Sequence, residues 1–262
     1  MNIRLPAFLL LLPFVLATAS DGFCEDAALS RLFDENNVTG TIVITNFEGT
    51  ETFIHNQERA DTPFIPASTF KIPNTLIALD KGVITEQDTL KWDGKDTGVA
   101  DWNRDQTLES AFRASCVWFF QELAQRIGTD TYRVYLGKIG YGNAEPAPEV
   151  TTFWLEGDLR ISAMEQIAFL KKVYRRELPF GSESFDTLSR IMLMEKAPSY
   201  TLWAKTGWGQ RVTPQIGWYV GYVERNDGVW FFAMNMVITK PKDARFRQEI
   251  TMEALRLKGI VN

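Results

Sequence analysis

Two hydrophobic rhythms divide this chain. Near its start, Thr41-Ile42-Val43-Ile44 and Glu51-Thr52-Phe53-Ile54 flank Phe47-Glu48-Gly49-Thr50. Short β-branched and aromatic runs on either side of a glycine-containing turn predict a hairpin. Near its end, Gly217 to Val223 and Val229 to Ile238 flank Asn226-Asp227-Gly228, where Asp-Gly is a stronger hairpin signal. Between these regions the period changes. Phe120, Leu123, Ala124 and Ile127 recur at helical spacing, as do Ile167, Leu170 and Val173. Residues 244–258 predict a last helix with Phe246, Ile250 and Leu257 on its apolar side.

Strands at both ends with helices between them predict an α/β fold of the α+β type. The sheet should be mainly antiparallel and built from N- and C-terminal strands, with flanking helices and an inserted helical lobe. A cleft is expected where lobe and sheet meet. No repeat, low-complexity tract or Pro/Gly/Ser linker interrupts the chain, so residues 20–262 read as a single domain of two intimate lobes.

Residues 1–19 read as an export signal. Arg4 is the one charge before the uncharged stretch Leu5 to Ala17, and Ala17-Thr18-Ala19 has the small-x-small pattern of a cleavage site. Pro6 and Pro13 count against a buried helix there. With no second long apolar run, a periplasmic protein without a membrane span is expected. Losing the signal removes one of 28 basic residues, leaving 27 against 33 acidic ones and a net charge of −6. That balance argues against nucleic-acid partners, which reward basic surfaces. Cys24 and Cys116 are the two thiols. Cys24 falls in the new N-terminus and Cys116 in an apolar segment, so a buried filler is favoured over a bridge.

The candidate chemistry starts from a scarcity. His55 is the lone histidine, placed on the outer hairpin as a surface residue. A Ser/His/Asp triad, a Cys/His pair and a His-rich zinc site are therefore excluded, and no metal is expected. Ser68-Thr69-Phe70-Lys71 instead sets a hydroxyl and an amine one helical turn apart at the start of an apolar helix. An uncharged lysine there could take the serine proton, with the helix N-terminus favouring the developing alkoxide. The same four residues also fit an N-capping serine followed by a solvated lysine. Three further motifs tip the balance: Ser115-Cys116-Val117 at the start of a helix, Tyr141-Gly142-Asn143 in a glycine-flanked loop, and Lys205-Thr206-Gly207 before the C-terminal hairpin.

With these motifs and Phe153-Trp154-Leu155-Glu156-Gly157, essentially the whole mature chain resembles the class D serine β-lactamases, the oxacillinase family, with their penicillin-binding transpeptidase-like fold. Penicillin-binding proteins and class A enzymes normally carry asparagine where Val117 stands. The resemblance implies hydrolysis of penicillins and oxacillin through a Ser68 acyl-enzyme, and hence antibiotic resistance. Val117, Phe120, Trp154 and Leu155 match the residues that surround the family's active-site lysine. It further implies that Lys71 takes up carbon dioxide as a carbamate held by the Trp154 indole, with no diffusible cofactor. Ser115 would relay a proton and Lys205 would assist electrostatically. The backbone N–H groups of Ser68 and Trp208 would form an oxyanion hole.

Thr206 and Arg247 match the family's carboxylate-binding positions. Arg211 is a plausible auxiliary, Gly207 belongs to the same motif, and Trp102 lines the cleft or packs. The segment from Ile216 to Met236 resembles carbapenem-hydrolysing members, which extends the expectation towards carbapenems. Partners are small-molecule β-lactams, and a monomer or a homodimer is equally compatible. The competing readings are a β-lactam sensor that is acylated without turnover, a cell-wall transpeptidase or carboxypeptidase, and a glycosidase. The last is suggested by eight tryptophans and by Glu156 and Asp158, which read more simply as loop charges.

Overall fold

The structure, a computed structural model, describes residues 25–262. The expected signal segment and Cys24 lie outside the described residues. No helix among the described residues is long and apolar enough to cross a membrane.

The chain opens with α1 (Ala27–Glu35) and the hairpin β1 (Gly40–Asn46) and β2 (Thr52–His55), followed by the short α2 (Gln57–Asp61). A 3-10 turn over Ala67–Phe70 runs directly into α3 (Lys71–Asp80). The small pair β3 (Thr89–Leu90) and β4 (Gln106–Thr107) precedes α4 (Leu108–Arg113), α5 (Val117–Ile127) and α6 (Thr129–Ile139). A long loop leads to α7 (Ala163–Arg175) and α8 (Ser182–Met192). The chain then returns to the sheet through β5 (Leu193–Lys196), β6 (Tyr200–Gly209), β7 (Gln215–Arg225) and β8 (Gly228–Ile238), and closes with α9 (Phe246–Leu257).

Among the described residues the main sheet has six antiparallel strands in the order β2-β1-β8-β7-β6-β5. Both terminal segments therefore meet at its centre, where β1 pairs with β8 from Gly40↔Met236 to Asn46↔Trp230. Because successive strand residues point to opposite faces, Val43 packs with the helical lobe while Ile42 and Ile44 pack with the other layer. That other layer is formed by Leu29 and Phe33 of α1 and Ile250, Ala254 and Leu255 of α9. A sheet covered on both faces explains why β7 and β8 read as nearly continuous apolar runs.

Both predicted hairpins are present, with the boundaries displaced by at most two residues. The pattern reading did not assign β5 or β6. In β6, buried Tyr200, Leu202 and Ala204 do alternate, but Lys205, a buried lysine, interrupts the rhythm. Leu257 is a correction, since it is half exposed. It lies in line with Ile250 along the helix but is the last residue of α9, and Ile260 and Val261 turn back to fill the core beyond it. His55 is a second correction. Its ring stacks 4.3 Å from Phe33 and hydrogen-bonds Glu25 and Ser30, because α1 covers the hairpin. Cys116 is fully buried, the environment expected of a filler.

Candidate active site

Ser68 sits in the 3-10 turn before α3, with Lys71 one turn on and on the same side. Ala67, just before it, has φ 50°, a conformation that costs a non-glycine residue about 1–3 kcal/mol. Lys71 is fully buried, and its Nζ donates to Ser68 Oγ at 2.9 Å. Burial disfavours its ammonium form and lowers its pKa to about 7, an effect weakly opposed by Cys116. A lysine in water stays protonated to about pH 10.4, so this amine is neutral several units below the normal range.

Aromatic side chains pack around Lys71 and the turn before it. Phe120 of α5 places its ring centroid 5.1 Å from Lys71 Nζ. Trp154 is wholly buried and stacks on Phe70 at 5.5 Å, within a cluster completed by Phe153, Tyr132 and Tyr141. Its indole Nε1 is buried with no hydrogen-bond partner among the described residues. An orphaned buried donor costs about 1–3 kcal/mol, so this N–H is an unused feature of the pocket. A carbamate on Lys71, which follows the Phe70 ring on which Trp154 stacks, would offer the acceptor the indole lacks, so the residues present fit that group. Val117 and Leu155 line the cleft beside Ser68.

Tyr141-Gly142-Asn143 holds the loop that carries Trp154. Asn143 Nδ2 donates to the Asp158 carbonyl at 2.8 Å, and its Oδ1 accepts from Arg160 N at 2.9 Å. Gly142 has φ +53, and a Cβ there would lie 1.9 Å from the Arg160 carbonyl oxygen. Only glycine lets the two strands of the loop close.

On the opposite wall, Lys205 Nζ and Ser115 Oγ are 2.5 Å apart. Ser115 has φ 54°, in the bend just ahead of α5, so the helix itself begins at Val117. Burial first, and then the neighbouring Lys71 and Arg247 cations, push the Lys205 pKa well below the ordinary lysine value. An amine of depressed basicity against a hydroxyl can pass a proton in either direction.

A cleft of about 290 Å³ connects these groups, with Ser68, Ser115, Thr206, Trp208 and Arg247 among its lining residues. Gly207 also faces it. Arg247 lies on the terminal helix, where a solvated side chain would be the default, yet it is half-buried. Its Nη1 donates to the Gly207 carbonyl and its Nε to that of Ala244, both at 2.6 Å. Burial lowers its pKa to about 10. The enabling residue is Gly217 of β7, since a Cβ there would fall 2.8 Å from Arg247 Cδ. Sequence reading passed over this glycine; its signal is a glycine inside an otherwise apolar strand.

Trp102 both packs and lines. Its Nε1 donates to the Ala114 carbonyl at 2.9 Å while its ring borders the cleft. Arg211 also borders the cleft but is paired with Glu156 at 2.9 Å, joining the β6–β7 loop to the Trp154 loop. Glu156 is therefore a clasp rather than an idle loop charge. No group of three His, Cys, Asp or Glu side chains among the described residues is arranged to hold a metal ion.

Residues 16–256 match the penicillin binding protein transpeptidase domain family. β-Lactamase OXA-48 of Klebsiella pneumoniae is 42% identical over 238 residues, 90% of each chain. β-Lactamase OXA-2 of Salmonella typhimurium is 41% identical over 97% of this chain and 93% of its own. Among solved structures, the class D β-lactamase YbXI from Nostoc superposes with a TM-score of 0.87 at 42% identity, covering 89% of this chain and 99% of its own. FUS-1 (OXA-85), a class D β-lactamase from Fusobacterium nucleatum subsp. polymorphum, gives 0.88 at 33% identity over 91% and 100%. With a buried Lys71 against Ser68, Lys205 against Ser115, and these likenesses running nearly end to end, the chain belongs to the class D β-lactamases.

Proposed function

We propose that this protein hydrolyses the β-lactam amide bond of penicillins and oxacillin through an acyl-enzyme on Ser68, and so confers resistance to them. The observation that carries the proposal is the buried, 2.9 Å contact between Lys71 Nζ and Ser68 Oγ, with the unpartnered Trp154 indole in the surrounding pocket. Ser68 Oγ attacks the lactam carbonyl, a C–O ester bond forms and the ring C–N bond breaks. Ser115, hydrogen-bonded to Lys205, delivers the proton that the departing nitrogen needs. Water then cleaves the ester. Backbone N–H groups of Ser68 and Trp208 are assigned to the oxyanion, whose stabilisation is commonly worth about 3–4 kcal/mol.

Carbon dioxide bound to the neutral Lys71 amine as a carbamate supplies a general base for both halves of the reaction. The protein's part is to keep that amine desolvated with Val117, Phe120 and Leu155, and to present the Trp154 N–H to the carbamate oxygens. Thr206 and Arg247, backed by Gly207 and Trp208, are assigned to the substrate carboxylate, which a fixed guanidinium recognises through charge-assisted hydrogen bonds. Trp102 is assigned to the cleft rim and Arg211 to loop closure, with carbapenems as the extension of the substrate range. We also propose that residues 1–19 are removed on export to the periplasm, leaving residues 20–262 as one domain.

The deciding measurement is turnover of excess penicillin by purified protein, in carbon dioxide-depleted buffer and again with bicarbonate. Catalytic turnover that falls on depletion, falls as pH drops below about 7, and returns with bicarbonate is expected. A single stoichiometric burst under all conditions would instead identify a sensor. Activity indifferent to bicarbonate would remove the carbamate. A penicillin, cephalosporin and carbapenem panel then fixes the range.

A further inference from the structure

The nucleophile turn rests on a buried polar network that the proposed reaction leaves unused. Gln166, on α7, is fully buried, and its Nε2 donates to Thr69 Oγ1 at 2.9 Å. That hydroxyl donates onward to the Pro66 carbonyl at 2.8 Å, which also accepts from Thr69 N at 3.2 Å. Thr69 thus closes the turn containing Ala67, at φ 50°, and Ser68. The preceding carbonyl, of Ile65, is held by the Trp218 indole at 2.8 Å. The β6 backbone presses from the side, since a Cβ on Gly207 would lie 3.0 Å from Pro66 O and 3.2 Å from Thr69 Cγ2.

Gln166 is fixed from the other end as well. A capping box between Ser162 and Glu165 starts α7 at Ala163, three residues before it, with bonds of 3.1 and 2.7 Å. The Tyr141 hydroxyl is also fully buried, within reach of Thr69 and Gln166. Among the described residues Tyr141 Oη and Gln166 Oε1 are both without partners, a donor and an acceptor enclosed together. A small rotation would join them and lock the amide so that its Nε2 faces Thr69.

We infer that Gln166 is a positioning residue for Ser68. Acting through Thr69, it holds the Pro66–Thr69 turn in the strained shape that aims Ser68 Oγ at Lys71 Nζ. This rests on the reading of Ser68 as nucleophile. An amide N–H suits this position because it donates to Thr69 Oγ1 and so leaves the one hydroxyl proton for the Pro66 carbonyl. A carboxylate would attract that proton and free the carbonyl. Small displacements of reacting groups cost up to about 100-fold in rate, so a clamp so near the nucleophile has large leverage.

The test measures acylation and deacylation rate constants separately, on protein titrated for active sites and saturated with bicarbonate, for Gln166→Leu, Thr69→Val and the double variant. Each single variant is expected to slow acylation by about 10- to 100-fold. The double variant should be no slower than the worse single one, because both break the same chain of bonds. Melting temperature is read in parallel, and Thr69→Val carries the test if Gln166→Leu does not fold. Acylation at the parent rate in either variant, or losses that multiply in the double variant, would each overturn the inference. Failure of the underlying reading shows separately, as persistent turnover in Ser68→Ala.

Discussion

Lys71 in the cleft and Lys258 on the far face of the sheet are both shielded lysines, and the fold treats them oppositely. Lys258 Nζ meets Asp26 at 2.5 Å and lies over the Phe53 ring. Burial alone would raise the Asp26 pKa, but the Lys258 ammonium and the Leu29 and Ala28 N–H groups outweigh it and hold it below the usual range. There the charges are matched, and the pair ties α1 to the end of α9. Lys71 meets a neutral hydroxyl, and Lys205, which feels both Lys71 and Arg247, is likewise unpaired with a carboxylate among the described residues. A matched cation adds stability and stays charged. An unmatched one loses its proton and becomes reactive, at a cost in stability.

The sharpest way to break the contrast is Lys71→Met, which keeps the volume and removes the titration. Turnover should fall by at least about 1,000-fold, within the range for loss of a general base. The fold should gain about 1–3 kcal/mol, read as a higher urea midpoint with unchanged slope. The pH dependence follows from the sign of the shift. With a folded pKa of about 7 and an unfolded one near 10.4, the unfolded chain holds the extra proton between them. Parent stability should therefore rise through that window, and the variant should lose that rise.

Lys205→Ala probes the second unmatched cation. It should lower kcat/KM by about 100-fold by removing the partner of Ser115, measured by steady-state kinetics on a small penicillin. The smallest effect sharpens the other side. Asp26→Ala removes both the Lys258 partner and the cap of α1, whose oxygen accepts from Ala28 and Leu29 at 3.1 Å. A loss of about 1–2 kcal/mol in urea unfolding is expected, with kcat and KM unchanged. The sign is that of a depressed carboxyl: this contribution is present above the unfolded aspartate value and fades as pH falls through the folded one.

Local patterns made much of this legible. The two hairpins announced themselves through β-branched runs and an Asp-Gly turn, and Ser68 with Lys71 through helical spacing. What escaped depends on long-range proximity. β6 was hidden because Thr206 stands where the alternation of Tyr200, Leu202 and Ala204 calls for an apolar residue, and because the buried Lys205 lies on the opposite phase, which only the assembled cleft explains. Gly217 looked like an ordinary strand residue until Arg247 was seen passing beside it. His55 looked exposed because the helix that covers it lies more than twenty residues earlier in the chain. The clasp between Arg211 and Glu156 joins two loops whose approach no short motif records.

The indole proton of Trp154 is enclosed, without a hydrogen-bond partner among the described residues, and its ring stacks on Phe70, the residue before Lys71. It is therefore a built-in reporter. In a nitrogen-labelled sample its resonance would move downfield when an acceptor enters, so the free-amine and carbamate forms of the proposed mechanism could be counted in a spectrum with no antibiotic present.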